Sequence, residues 1–137
     1  MTQMVFVPWL GPTTNESYAG KHWSKRLREQ RAGHWQTKLA VMNNNIAAES
    51  EVVDLVFVPQ VGKGGRRLDC TNYSHTAKII EDGLVKAGVI PGDEPWHVES
   101  VLIAAPIRDR SRPPGMWVII QASSRAREVR ELLEGAA

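Results

Sequence analysis

A run of apolar residues at helical spacing, stopped sharply, constrains this chain most. Ala77, Ile80, Leu84 and Ala87 share one helical face, and Ile79 and Val85 widen it. Lys78, Asp82 and Lys86 repeat at i, i+4 on another face. Gly88 and then Pro91 end the helix, because glycine tolerates the left-handed terminus and proline cannot continue it. The helix therefore begins at Thr71 or Asn72. Before it comes Val52 to Pro59 (VVDLVFVP), a strand of nearly continuous β-branched and aromatic residues with Asp54 inside it, either paired or at an edge. After it comes His97 to Ile107, a strand weakened towards its end by Pro106.

The rest of the chain falls into place around that unit. Met4 to Pro8 reads as a strand and Gly11 to Gly20 as a loop. Ser24 can cap a basic helix whose stripe is Leu27, Ala32, Trp35, Leu39 and Met42, with Gly33 a weak interruption. The run Asn43-Asn44-Asn45 ends that helix before Ala48. Arg108 to Gly115 is a basic turn, and Met116 to Ala122 is a strand that pairs with His97–Ile107 as an antiparallel hairpin. Ser123 caps a last helix to about Glu134. The reading is one α/β (α+β) domain over residues 1–137, order β-α-β-α-β-β-α, with a mixed sheet of about four strands and three helices.

Composition narrows the function. The 137 residues carry a formal charge of only +2, so a nucleic-acid surface must come from local clustering. Lys63, Arg66 and Arg67 form one cluster, in a glycine-rich loop able to wrap a phosphate backbone. Lys21, Lys25 and Arg26 begin a second, which reads either as a solvated helix face or as a phosphate-contacting edge. A single cysteine, Cys70, excludes an intrachain disulfide and fits a reducing, cytoplasmic setting. The opening MTQMVFVPWLGP has no signal-peptide pattern, and no apolar run approaches the roughly 20 residues that cross a bilayer.

Carboxylates bracket the central helix. Asp69 precedes it, where an N-cap or turn residue is common, and Asn72 has the same ambiguity. Asp93 and Glu94 follow it. Seventeen helical residues span about 25 Å. Asp69 and Asp93 therefore meet only if the chain after Gly88 folds back along the helix, or if a second subunit supplies one of them. The four histidines show no metal-ligand spacing and read as surface or core residues. Trp35 and Trp117 read as core, and Trp96, beside the acidic turn, as the tryptophan placed to meet a ligand.

The stretch Arg66-Arg67-Leu68-Asp69-Cys70-Thr71-Asn72, then Lys78, Asp82-Gly83-Leu84, Lys86-Ala87-Gly88 and Gly92-Asp93, resembles the RusA family of Holliday-junction endonucleases found in phages and prophages. The specific motif covers about thirty-five residues, and the element order matches over nearly the whole chain. The resemblance implies a homodimer in a bacterial cytoplasm that binds four-way DNA junctions and cleaves them with Mg²⁺ or Mn²⁺. It implies that Asp69 and Asp93 are catalytic metal ligands; beside them Asn72 can lend its carbonyl, and Glu94 can compensate from the turn of Asp93 for a missing carboxylate. Lys78 matches the helix lysine that supports phosphate binding or catalysis, given an extra turn after Asn72.

Two positions depart from the pattern. Thr71 stands where the motif has its second Asp, and Gly92 stands at the first position of the acidic pair. A hydroxyl for a carboxylate removes a full negative charge from a site for a hard cation. The alternative is a RusA-like chain that has lost cleavage and kept binding to branched DNA or to a protein partner.

Overall fold

The computed structural model describes residues 2–17 and 22–136. Strand β1 (Thr2–Val7) leads to a single helical turn, α1 (Thr14–Ser17), and then the long α2 (Trp23–Asn43). Strand β2 (Val53–Val61), a 3-10 turn (Cys70–Tyr73) and α3 (Ser74–Lys86) follow. The chain closes with β3 (Val98–Ile103), β4 (Ile107–Arg108), β5 (Gly115–Ala122) and α4 (Arg125–Ala136). With α1 set aside as one turn, three helices and a mixed five-stranded sheet result, as the sequence implies apart from the extra short strand. No helix among the described residues is long and apolar enough to cross a membrane.

The sheet order is β1-β5-β2-β3, with β4 continuing beside β2. The expected hairpin between the last two strands does not form: β3 pairs with β2 in parallel, and β5 pairs antiparallel with both β1 and β2. The physical reason is the crossover. A strand reached through α3 returns in the direction of β2 and takes its free edge, leaving β5 to enter on the other side. The run expected from His97 to Ile107 is also divided. Parallel pairing lapses between Phe57↔Ile103 and Gln60↔Ile107, where Pro59, with no N–H to give, faces the stretch holding Pro106.

Alternation along the strands sends Val5, Val7, Leu55, Phe57, Met116, Val118 and Ile120 to one face, all nearly inaccessible. They form the core with Ala77, Ile80 and Leu84 of α3 and with Ala40 and Val41 of α2. The opposite face carries Met4, Phe6, Trp117 and Ile119, half-buried or exposed. Asp54 is buried and paired: Ser100 Oγ donates to it at 2.6 Å and the Ser124 amide at 3.3 Å.

Helix α2 corrects the sequence reading. Its buried residues are Gly33, Thr37, Ala40 and Val41, whereas Trp35 is 57% exposed and Met42 62% exposed. The face is set by contact with α3 rather than by the largest apolar residues. A Cβ on Gly33 would lie 2.4 Å from Ile79 Cγ2, and one on Gly83 would lie 2.9 Å from Thr37 Cβ. The two helices approach closely on small residues, so Gly33 is the crossing point and not an interruption. Thr37 satisfies its buried hydroxyl by donating to Gly33 O at 2.8 Å. His22, not Ser24, supplies the cap: the Ser24 amide donates to His22 Nδ1 at 3.2 Å. The asparagine run ends the helix as expected, with Asn44 as C-cap and Asn45 at φ 51°.

Candidate metal site and nucleic-acid interface

Helix α3 presents Lys78, Glu81 and Asp82 at i, i+3 and i+4, the spacing that stacks side chains on one face. The helix end brings Asp93 to them. Gly88 takes φ 80°, the Gly88 amide donates to Val85 O, and the Val89 amide donates to Leu84 O. Val89 and Ile90 then drop into the core, each 1% exposed, and turn the chain back. The amides of His97 and Val98 both donate to Glu94 O, which closes the turn before β3.

Asp93 therefore lies beside the middle of α3 rather than beyond its end. Lys78 Nζ is 2.5 Å from Asp93 Oδ2, 3.1 Å from Glu81 Oε1 and 3.2 Å from Asp82 Oδ1. The Asp93 hydrogen bond, with Glu81 and Asp82 adding to it, holds the Lys78 ammonium well above the ordinary lysine range, against a smaller opposing effect of burial. The same bond keeps the Asp93 carboxyl below the usual carboxylate range. Three carboxylates around one ammonium leave the site with excess negative charge.

Glu81, Asp82 and Asp93 each offer an oxygen within 4.8 Å of the others, so this partly buried triad can hold a metal ion. The donor set is all carboxylate, which suits a hard divalent cation such as Mg²⁺. Ligand oxygens about 2.1 Å from such an ion lie roughly 3–4 Å apart, so the triad needs only slight closing. A cleft of about 330 Å³, lined by Gln30, His34, Asp82, Val85, Lys86 and Asp93, runs beside the triad between α2 and α3. Burial, and then the Lys86 ammonium, push the His34 imidazole below its usual value, with Asp82 opposing.

The other expected ligands are not members of this group of carboxylates. Asp69 is exposed at the start of the 3-10 turn and makes no side-chain cap bond. It is separated from Lys78 by that turn and the first turn of α3. The turn is anchored by Tyr73, 3% exposed, whose hydroxyl accepts from the Leu68 amide at 3.1 Å. Asn72 is half-buried, and its amide donates to Asp69 O at 2.9 Å. Glu94 is exposed, with its carboxylate over Gly92: a Cβ there would lie 1.9 Å from Glu94 Oε2. Asp93 thus groups with Glu81 and Asp82 around Lys78, and neither Asp69 nor Glu94 belongs to that group of carboxylates. Glu81 and Asp82 are the residues that sequence reasoning missed. Their signal was their position three and four residues after Lys78.

The basic residues gather at one end of the sheet. Lys63, Arg66 and Arg67 are exposed in the loop after β2, where Gly64 takes φ 77°. The Arg108 guanidinium donates to Gly65 O, and Gly62 packs against Pro114 and the Arg112 carbonyl. Two basic loops distant in sequence are therefore one surface, which adds Arg108, Arg110 and Arg112 to the expected set. Lys25 and Arg26 are exposed in the first turn of α2, and Lys21 lies outside the described residues. Lys25 and Arg28 border a cleft of about 700 Å³ with Trp9, Leu10 and Pro12. Leu10 also lines the smaller cleft that holds Arg66, so both basic clusters flank one segment.

Trp96 is exposed, and Trp35, expected in the core, is exposed as well. The sequence matches no protein-family profile and no curated protein.

Proposed function

We propose that this chain is a RusA-like, metal-dependent endonuclease that acts as a homodimer on branched DNA, four-way junctions included. The observation that carries the reading is the meeting of Lys78 with Asp93, Glu81 and Asp82 on one face of α3. In this reading the triad is the cation site, and a bound Mg²⁺ or Mn²⁺ supplies charge neutralisation at the scissile phosphate and acidifies a water. Glu81 and Asp82 supply the carboxylates that Thr71 and Gly92 do not. Lys78, beside these carboxylates, would pair with a phosphate oxygen. Arg66, Arg67 and Arg108 hold the flanking backbone as point charges, which fixes position without reading sequence. Asp69 keeps the catalytic role that the resemblance gives it only if it approaches the same phosphate.

A second reading has its own support. The Lys78 ammonium already neutralises part of the triad, so the site is stable without a cation, and Thr71 leaves one expected carboxylate missing. A chain of this kind binds branched DNA and does not cut it.

One experiment separates the two. A labelled four-way junction is incubated with the protein and Mg²⁺ or Mn²⁺, then read both as a gel shift and as nicking on a denaturing gel. Nicking that needs the metal supports the endonuclease. A shift without nicking at any metal concentration leaves the binder, and neither signal removes both.

A further inference from the structure

The face of the sheet opposite the core carries a cationic and aromatic cluster. Phe6 of β1 and Trp117 of β5 are register partners, with ring centroids 5.0 Å apart. The Arg112 guanidinium lies over both rings, 5.1 Å from the Trp117 centroid and 5.8 Å from that of Phe6. The assembly is held from below and from the side. Trp117 Nε1 donates to Gln60 Oε1 at 2.9 Å, and Gln60, 1% exposed, uses its own amide to donate to Pro113 O at 3.2 Å. Asp109 Oδ2 lies 3.5 Å from Arg112 Nε, and Asp109 is itself fixed by the amide and hydroxyl of Ser111. Arg112 is thus ordered before any ligand arrives, yet its side chain stays 49% exposed.

The Arg112 guanidinium sits within cation–π reach of both rings while Asp109 holds it from the other side. The stack also adjoins the basic surface formed by Lys63, Arg66, Arg67, Arg108 and Arg110. A planar cation on an aromatic base, beside phosphate-binding charges, is the chemistry that receives an unstacked nucleobase.

We propose that this stack is a platform for unpaired DNA, with a base lying on the outer face of the Arg112 guanidinium and the neighbouring phosphates meeting Arg108 and Arg110. The proposal rests on the DNA-binding reading above and extends it. A fully paired four-way junction offers no free base, so the platform directs the protein to branched DNA that carries a single-stranded arm. Arginine is required, because its planar delocalised group stacks whereas the lysine ammonium is a point charge.

The test compares a labelled eight-nucleotide oligothymidylate with a duplex of the same length by fluorescence anisotropy. Arg112→Lys keeps the charge and loses the plane. It is expected to bind the single strand roughly tenfold more weakly while its duplex affinity stays within about twofold. A second measurement needs no change at Arg112. The oligothymidylate quenches tryptophan emission in the wild type, and Trp117→Phe removes that quenching while the single strand still binds. Equal single-strand affinity of wild type and Arg112→Lys, or equal losses on both DNAs, overturns the platform. So does quenching that survives Trp117→Phe. A wild type that binds a four-way junction but not the oligothymidylate sinks this proposal alone, whereas one that binds no DNA sinks the parent reading with it.

Discussion

Lys78 Nζ and Asp93 Oδ2 lie 2.5 Å apart although fifteen residues and a helix end separate them in the chain. The ammonium is within reach of all three carboxylates of the triad. A cation held by the triad would compete with Lys78 for the same oxygens. Lys78→Met is expected to lower stability, because Glu81, 7% exposed, loses its partner. It is also expected to bind Mn²⁺ several-fold more tightly than the wild type while losing nicking. A thermal melt with and without Mn²⁺ reads this directly, since a ligand that binds only the folded chain raises the melting temperature. A smaller Mn²⁺ shift in Lys78→Met than in the wild type would show that the triad is not the cation site.

The same pair sets a pH dependence. Lys78 lowers the Asp93 pKa in the folded chain, so the unfolded chain binds protons more readily as pH falls. The stabilisation is complete above the ordinary carboxylate value, about pH 4, and fades as pH falls through the lower folded value. Urea unfolding at pH 6 is expected to show Asp93→Asn less stable than wild type, and the gap is expected to shrink at pH 3. A gap of the same size at both pH values argues against the ion pair as its source.

Much of the fold was legible because it depends on local pattern. The apolar spacing at Ala77, Ile80 and Leu84, the glycine stop at Gly88 and the β-branched run of β2 each identify their element without help from the rest. What failed depended on partners. The face of α2 was read from Trp35 and Met42, but close packing against α3 selected Gly33 and Thr37, and small residues give no hydrophobic signal. The supposed hairpin failed because two strands adjacent in sequence are separated in space by β2. Lys78 and Asp93 were both singled out from the sequence, but their meeting, and the carboxylates around them, were not. Glu81 and Asp82 looked like ordinary helix-surface charges until the turn at Gly88 carried Asp93 back to them.

That close crossing has its own consequence. A methyl group on Gly83 would come within 2.9 to 3.1 Å of three Thr37 side-chain atoms in a packed interface. Gly83→Ala is therefore expected to destabilise the protein by about 1–3 kcal/mol, although alanine is the better helix former. Chemical denaturation of the two proteins measures it. A neutral or stabilising effect would mean that the helices can move apart at little cost.

The loop holding Arg66 and Arg67 is tied to β4 through Arg108 and Gly65, so its charges are presented from a braced backbone. Replacing both arginines with alanine is expected to weaken junction binding and to lower the slope of log affinity against log salt by about 2, one counterion for each lost phosphate contact. Titrations at several salt concentrations give both quantities. An unchanged slope removes the loop from the interface.

On the endonuclease reading proposed above, three substitutions together tell which carboxylates hold the cation. Asp82 belongs to the triad, and its side chain is partly exposed, so Asp82→Asn removes a charge from the site without opening a cavity. Asp69 lies outside the triad, at the exposed start of the 3-10 turn. Thr71 is exposed in that turn, and its carbonyl, not its hydroxyl, is the group that Thr14 and Ser74 engage. Thr71→Asp therefore disturbs no described contact and places a carboxylate near a helix start, where the dipole favours it. If the triad is the cation site, Asp82→Asn loses metal-dependent nicking by about a hundredfold or more, while Thr71→Asp cuts at the wild-type rate across a Mg²⁺ titration. If the site is built on Asp69 instead, the order reverses: Thr71→Asp cuts faster at low Mg²⁺, Asp69→Asn is inactive and Asp82→Asn is nearly normal. The triad geometry leads us to expect the first pattern. Rates for the four proteins on one labelled junction, with Mn²⁺ as a second metal, decide between the two arrangements.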